Sequence, residues 1–206
     1  MTSTLVEKQS FLRSKVGGLP RPFWALWSGT LVNRLGTMVM PFTGVYLTQA
    51  RGVSVAGAGL VMAVYGAGSL ISQLLGGWLT DRIGRRATLS GGMLATAGAM
   101  LALGYSTSLA AIIGSMFLLG LVIDVYRPAS NALVADLVSP VERPRAYGLL
   151  FWAINLGYAV GMTAGGWLSD HLGKSRPGAL FVVPGVAMIL SIPFVLLALF
   201  AKTEPV

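Results

Sequence analysis

The chain has 206 residues, 54% of them hydrophobic and 11% charged, with a net charge of +8, 27 glycines and no cysteine. A soluble domain carries about 25% charged residues to cover its surface, so that class is excluded. The missing cysteine also removes disulfide frameworks, thiolate catalysis and zinc–thiolate sites.

Residues 1–21 include Lys8, Arg13, Lys15 and Arg21 and read as a cytosolic N-terminal segment, since no cleavage site of the signal-peptide type precedes the first apolar run. Apolar runs of about 20 residues then recur, each long enough to cross ~30 Å of hydrocarbon. They predict six transmembrane helices, spans 1 to 6, at about 22–49, 57–80, 86–105, 108–138, 145–169 and 178–201, with a cytosolic tail at 202–206. Pro41, Pro128, Pro184 and Pro193 fall inside spans, where neighbouring helices can satisfy the carbonyls they free.

Orientation follows from the fifteen Lys and Arg. With the N-terminus inside, ten lie on the cytosolic side, whereas only Arg51, Lys174 and Arg176 lie opposite and Arg34 and Arg127 are within spans. The bias predicts a multi-pass cell-membrane protein with both termini cytosolic. Such scattered charges belong to membrane-flanking loops in contact with lipid, and no nucleic-acid partner is expected.

Residues 76–85 read GGWLTDRIGR and residues 165–174 read GGWLSDHLGK, an offset of 89 that also brings Gly68 onto Gly157. The copies end spans 2 and 5, which cross in opposite directions. The chain therefore divides into two three-helix units of inverted topology, about 22–105 and 108–201, a building plan of secondary transporters.

The loop after span 2 has its own logic. Gly77 would let a helix end approach a neighbour, Asp81 is an acceptor at the boundary, Gly84 permits a tight reversal, and Arg82, Arg85 and Arg86 anchor the turn. This stretch resembles the signature between helices 2 and 3 of the major facilitator superfamily, G-x-L-x-D-R-x-G-R-[RK]. The resemblance implies the N-terminal six-helix half of that fold, and a conformational latch in which the acid and the arginines pair across the cytosolic face. Asp136, at the end of span 4 and followed by Pro140, Arg143 and Arg145, is the local partner it implies.

Span 5 carries Gly157, Gly161, Gly165 and Gly166, a small-residue stripe suited to close helix packing. It is also similar to the superfamily's antiporter motif, g-x-x-x-G-P-x-x-G-G, found in drug:proton exchangers, with Met162 in place of the proline. In span 4 the run Met116-Phe117-Leu118-Leu119-Gly120 lacks the arginine and glutamine common in exporters.

Intramembrane charges are costly and mark functional positions by default. Counted at 1.5 Å per residue, Arg34, Asp124 and Arg127 all lie about 17–21 Å from the cytosolic span ends, near one level. An Arg34–Asp124 pair is expected, leaving Arg127 to face water or an anionic group. Two readings stay open: a structural clamp, or a central cavity in which these residues and Asn33 form a substrate and proton site. Asp124 would be the protonatable group. Phe42, Tyr46, Tyr65, Gln73, Trp152 and Asn155 could contribute to such a cavity, and Trp24, Trp27, Trp78 and Trp167 read as interfacial anchors.

Gly173-Lys174-Ser175 does not complete a phosphate-binding loop, because the earlier glycine position is Leu168. One histidine and scattered acids offer no metal cluster or catalytic triad, so no cofactor, metal or enzymatic activity is expected. The expected function is secondary transport of a small molecule, as proton-coupled efflux. The alternatives are nutrient uptake or a truncated, non-transporting membrane module. A second six-helix half, from another copy or a separate chain, is an expected partner.

Overall fold

A computed structural model of the chain describes residues 17–36, 40–172 and 178–200, which are helical apart from short connections. Span 1 is described as helices Arg21–Gly36 and Met40–Val45, the second running on through a π-helical turn at Tyr46–Ala50. Span 2 is Val55–Ile83, span 3 Arg85–Tyr105, span 5 Arg143–Leu172 and span 6 Ala179–Phe200; span 4 comprises Leu109–Ile123 and Tyr126–Leu137. Spans 2 to 6 are each long and apolar enough to cross a membrane. Lys8, Arg13 and Lys15, the loop carrying Lys174 and Arg176, and the 202–206 tail lie outside the described residues.

Local chemistry sets the helix ends. Ser54 and Ser108 cap spans 2 and 4, their hydroxyls accepting from the Gly57 N–H at 3.1 Å and the Ala111 N–H at 3.2 Å. Gly84 alone separates spans 2 and 3, with φ +84° in the left-handed region that L side chains rarely adopt, so the predicted tight reversal is present. Pro184 and Pro193 stay inside span 6. Pro128 acts differently. It cannot donate to the Asp124 carbonyl and its ring crowds that group, so one helix of span 4 stops at Ile123 and the next starts at Tyr126. The Arg127 N–H takes the Asp124 carbonyl instead, at 3.1 Å.

The two units pack as an inverted repeat. Span 1 lies against spans 5 and 6, span 4 lies against spans 2 and 3, and spans 3 and 6 meet each other. Exchanging 1 with 4, 2 with 5 and 3 with 6 leaves those pairings unchanged. Two close helix approaches obey the same exchange. A Cβ on Gly68 would stand 2.7 Å from the Phe117 carbonyl oxygen and 3.1 Å from the Gly120 carbonyl carbon. One on Gly157 would stand 2.6 Å from Arg34 Cβ and 3.1 Å from the Leu31 carbonyl oxygen. Leu31 and Gly120 are themselves 89 residues apart. Further along the span 5 stripe, Gly161 and Gly165 are buried and Gly166 half-buried, with Phe42 nearest to the last.

Buried apolar side chains gather into two clusters, one toward each end of the bundle. Phe23, Leu26, Leu89, Met93 and Leu133 belong to one, and Tyr46, Leu47, Met100, Met116 and Phe181 to the other. Between them, near the span centres, are the buried polar residues Asn33, Arg34, Ser72, Thr96, Asp124 and Ser191. On the outside, Leu60, Leu70 and Leu74 of span 2 and Trp152 of span 5 are exposed. A patch of that kind invites aggregation in water, whereas acyl chains match it.

Candidate functional site

The interruption of span 4 takes backbone groups out of the regular helix ladder at the centre of the bundle, and hydroxyls from two other spans meet them. Ser72 Oγ of span 2 accepts from the Asp124 N–H at 3.1 Å. Thr96 Oγ1 of span 3 lies 3.0 Å from the Val122 carbonyl and 2.8 Å from that of Gly92 in its own helix. Ser69, one turn from Ser72, donates to Asp124 Oδ2 at 3.1 Å. With no water in hydrocarbon, such partners are what permits an irregular turn at this depth.

Asp124 does not pair with Arg34 as expected. Its Oδ1 lies 2.6 Å from Arg127 Nε, an i,i+3 contact within one turn of span 4. Arg34 is buried and points elsewhere. Its guanidinium carbon is 5.8 Å from the ring centres of both Tyr126 and Tyr158, within cation–π range. Asn33 Oδ1 accepts from the Tyr126 hydroxyl at 3.0 Å, which fixes that ring beside the arginine.

These residues surround a cavity of about 450 Å³ between spans 1, 4 and 5. Arg34 and Thr30 line it from span 1, Tyr126, Arg127, Ser130 and Asn131 from span 4, and Tyr147, Phe151 and Tyr158 among others from span 5. Arg34 and Tyr158 sit near the bundle centre. Tyr147 and Asn131 lie toward the end at which span 4 finishes and span 5 begins, tied by a bond from the Tyr147 hydroxyl to the Asn131 carbonyl at 3.0 Å. Tyr65 of span 2 is within electrostatic reach of Asp124, Arg127 and Tyr158.

At that same end, Arg85 forms an ion pair with Asp136, the partner the sequence pattern implied. Both side chains are about half exposed, so the pair is worth at most about 1 kcal/mol to stability. Arg82 stacks over Trp78 at 5.2 Å and Arg86 over Phe200 at 5.1 Å. Asp81 is exposed and forms no ion pair among the described residues. The close approach assigned to Gly77 falls instead to its neighbour: Gly77 has open space where a Cβ would be, whereas a Cβ on Gly76 would stand 2.6 Å from the Val125 carbonyl oxygen.

Of the predicted site residues, Arg34 and Arg127 line the cavity, with Asn33 and Asp124 directly behind it. Other expected contributors are placed differently. Tyr46 is buried against Phe181 and accepts from Arg51 Nε at 2.8 Å, Asn155 donates back to the Phe151 carbonyl of its own helix at 2.7 Å, and Trp152 faces outward. Trp27 ties spans 1 and 5, donating to the Leu149 carbonyl at 2.9 Å. Ser69, Ser72 and Thr96 were missed. Serines three apart in an apolar span, opposite a proline-bearing one, are the signal that could have found the first two.

A family model described as Major Facilitator Superfamily matches residues 26–206. The chain is 32% identical over 187 residues to the uncharacterized MFS-type transporter YqjV of Bacillus subtilis, covering 88% of this chain and 43% of that one. It is 31% identical over 173 residues to the 4-hydroxybenzoate transporter PcaK of Acinetobacter baylyi, covering 84% and 36%. It is 33% identical over 149 residues to the multidrug resistance protein MdtH of Aeromonas salmonicida, covering 70% and 37%. The fold is similar to that of the POT family transporter PepTSo, with a TM-score of 0.80 at 20% identity, covering 92% of this chain and 40% of that one. The chain thus spans less than half the length of each of these relatives.

Proposed function

Because the chain belongs to the Major Facilitator Superfamily, we propose that it acts as one six-helix half of a secondary transporter, moving a small molecule across the cell membrane by alternating access. The observation that carries this reading is the cavity between spans 1, 4 and 5, with two arginines in its wall and Asp124 paired to one of them. A closed apolar bundle of this size would have no reason to keep three charges at its centre. A second six-helix half, as another copy or a separate chain would supply, completes the pathway in this reading, and the Lys/Arg bias supports cytosolic termini.

Asp124 is the coupling group in this scheme. It faces Arg127 within span 4 and Tyr65 and two serines from span 2, with Arg34 of span 1 across the cavity. The small-residue stripe of span 5 and the relative named a multidrug resistance protein support export in exchange for protons. A second direction, uptake together with protons, is favoured by the Asp124–Arg127 contact: a proton on Asp124 releases Arg127, so proton and an anionic substrate would bind cooperatively.

Flux through vesicles holding the purified chain, with an imposed proton gradient and the oligomeric state measured in parallel, tests the reading. Gradient-driven flux by a dimer is expected, and Asp124→Asn uncouples it. A strictly monomeric, flux-inactive chain would leave the non-transporting module, and wild-type gradient dependence in Asp124→Asn would remove the coupling role.

A further inference from the structure

The chemistry of the cavity wall narrows the substrate class, an inference that rests on the transport reading above. The lining holds two guanidiniums and no carboxylate. Arg34 is buried to 6% exposure and braced between Tyr126 and Tyr158. Gly157 makes that seat possible, since a side chain there would strike Arg34 Cβ. Arg127 gives only its Nε edge to Asp124, and its terminal nitrogens make no hydrogen bond among the described residues. The helix Tyr126–Leu137 begins beside these two arginines, and its N-terminal dipole adds positive potential at the same point. Tyr147, Phe151 and Tyr158 supply flat aromatic walls, and 450 Å³ leaves ample room for a molecule built on one ring.

We propose that this cavity receives the acidic group of a small, flat organic anion at Arg34 and Arg127, and that Asp124 is a built-in competitor for Arg127. A cation of the same shape meets two positive charges and no acid. Asp124 is fastened to the wall through Ser69 and Ser72, so its carboxylate withholds one edge of Arg127 without entering the cavity. Removing that negative charge strengthens anion binding, the opposite of what loss of a substrate ligand does.

Equilibrium dialysis of benzoate against the purified full chain in detergent tests this, with benzylamine as the cation of matching shape. Benzoate binds at least about tenfold more tightly than benzylamine, Arg34→Gln weakens it about tenfold or more, and Asp124→Asn tightens it. Equal binding of the two probes, or no binding of either below about 10 mM, overturns the anion site, and this comparison needs only the wild-type chain. Unchanged or weaker benzoate binding in Asp124→Asn overturns the competition. Vesicle flux separates this inference from the one beneath it. Benzoate bound but not moved retires transport and keeps the anion site, whereas benzylamine moved in preference to benzoate retires the anion site and keeps transport.

Discussion

Spans 2 and 5 finish alike and are then used differently. Trp78 lies under Arg82 with 5.2 Å from guanidinium carbon to ring centre, and 89 residues on Trp167 stacks on His171 with ring centres 4.5 Å apart. The glycine contacts at Gly68 and Gly157 match as well. The charges do not. Asp136, which pairs with Arg85, corresponds in the first unit to Leu47, a fully buried member of an apolar cluster. Arg34, which lines the cavity, corresponds in the second unit to Ile123, where span 4 breaks. Close backbone packing needs only small residues at the right period, and it has persisted in both units. An ion pair needs one residue at each of two places, and among the described residues the pair is seen at one end of the bundle.

The largest effect should come from breaking that asymmetry directly. Arg85→Ala or Asp136→Asn abolishes flux while membrane insertion stays intact, whereas Lys174→Ala, at the sequence position corresponding to Arg85, leaves flux within about twofold, since the position corresponding to Asp136 is Leu47 and carries no carboxylate. Equal loss in Arg85→Ala and Lys174→Ala, measured in vesicles, would mean that the two ends work alike.

The glycine contacts come next. Gly68→Ala presses on the backbone of Phe117 and Leu121, which cannot turn aside, and costs about 1–3 kcal/mol in a detergent melting experiment. Gly157→Ala costs a similar amount and, because its nearest neighbour is Arg34 Cβ, also lowers affinity for the benzoate probe, which Gly68→Ala does not. Identical behaviour of the two would detach Gly157 from the cavity. Ser72→Ala strands the Asp124 N–H and loses about 1–3 kcal/mol in the same melting assay. Smallest are Trp78→Ala and Trp167→Ala, exposed stacking contacts worth about 0.5 kcal/mol each. A larger drop for one than for the other would show that the helix ends differ in stability as well as in charge.

Much of this was legible beforehand because it depends on patterns that local chemistry enforces. Run length and hydropathy located the spans, the 89-residue repeat paired Gly68 with Gly157, and the loop signature led to Gly84 and to the Arg85–Asp136 contact. Helix depth also placed Arg34, Asp124 and Arg127 near one level. Their pairing was not legible. The i,i+3 spacing puts Asp124 and Arg127 on one helix face, but depth along an axis says nothing about which way a side chain leaves its helix, so the choice of Arg127 over Arg34 as the partner of Asp124 came only from the structure. Gly77 and Gly76 are adjacent, so a one-residue rotation of about 100° decided which of them met Val125.

By itself the sequence determined a membrane-spanning, all-helical chain built as two inverted units, because apolar length, loop charge and glycine spacing are properties of each segment. Tertiary structure alone decided that two hydroxyls meet the backbone at the break in span 4 while a third holds the Asp124 carboxylate, that Arg34 is braced by two tyrosines, and that the cavity wall is cationic with Asp124 held behind it. Those facts depend on where different helices meet and how they are rotated, and no single segment encodes that.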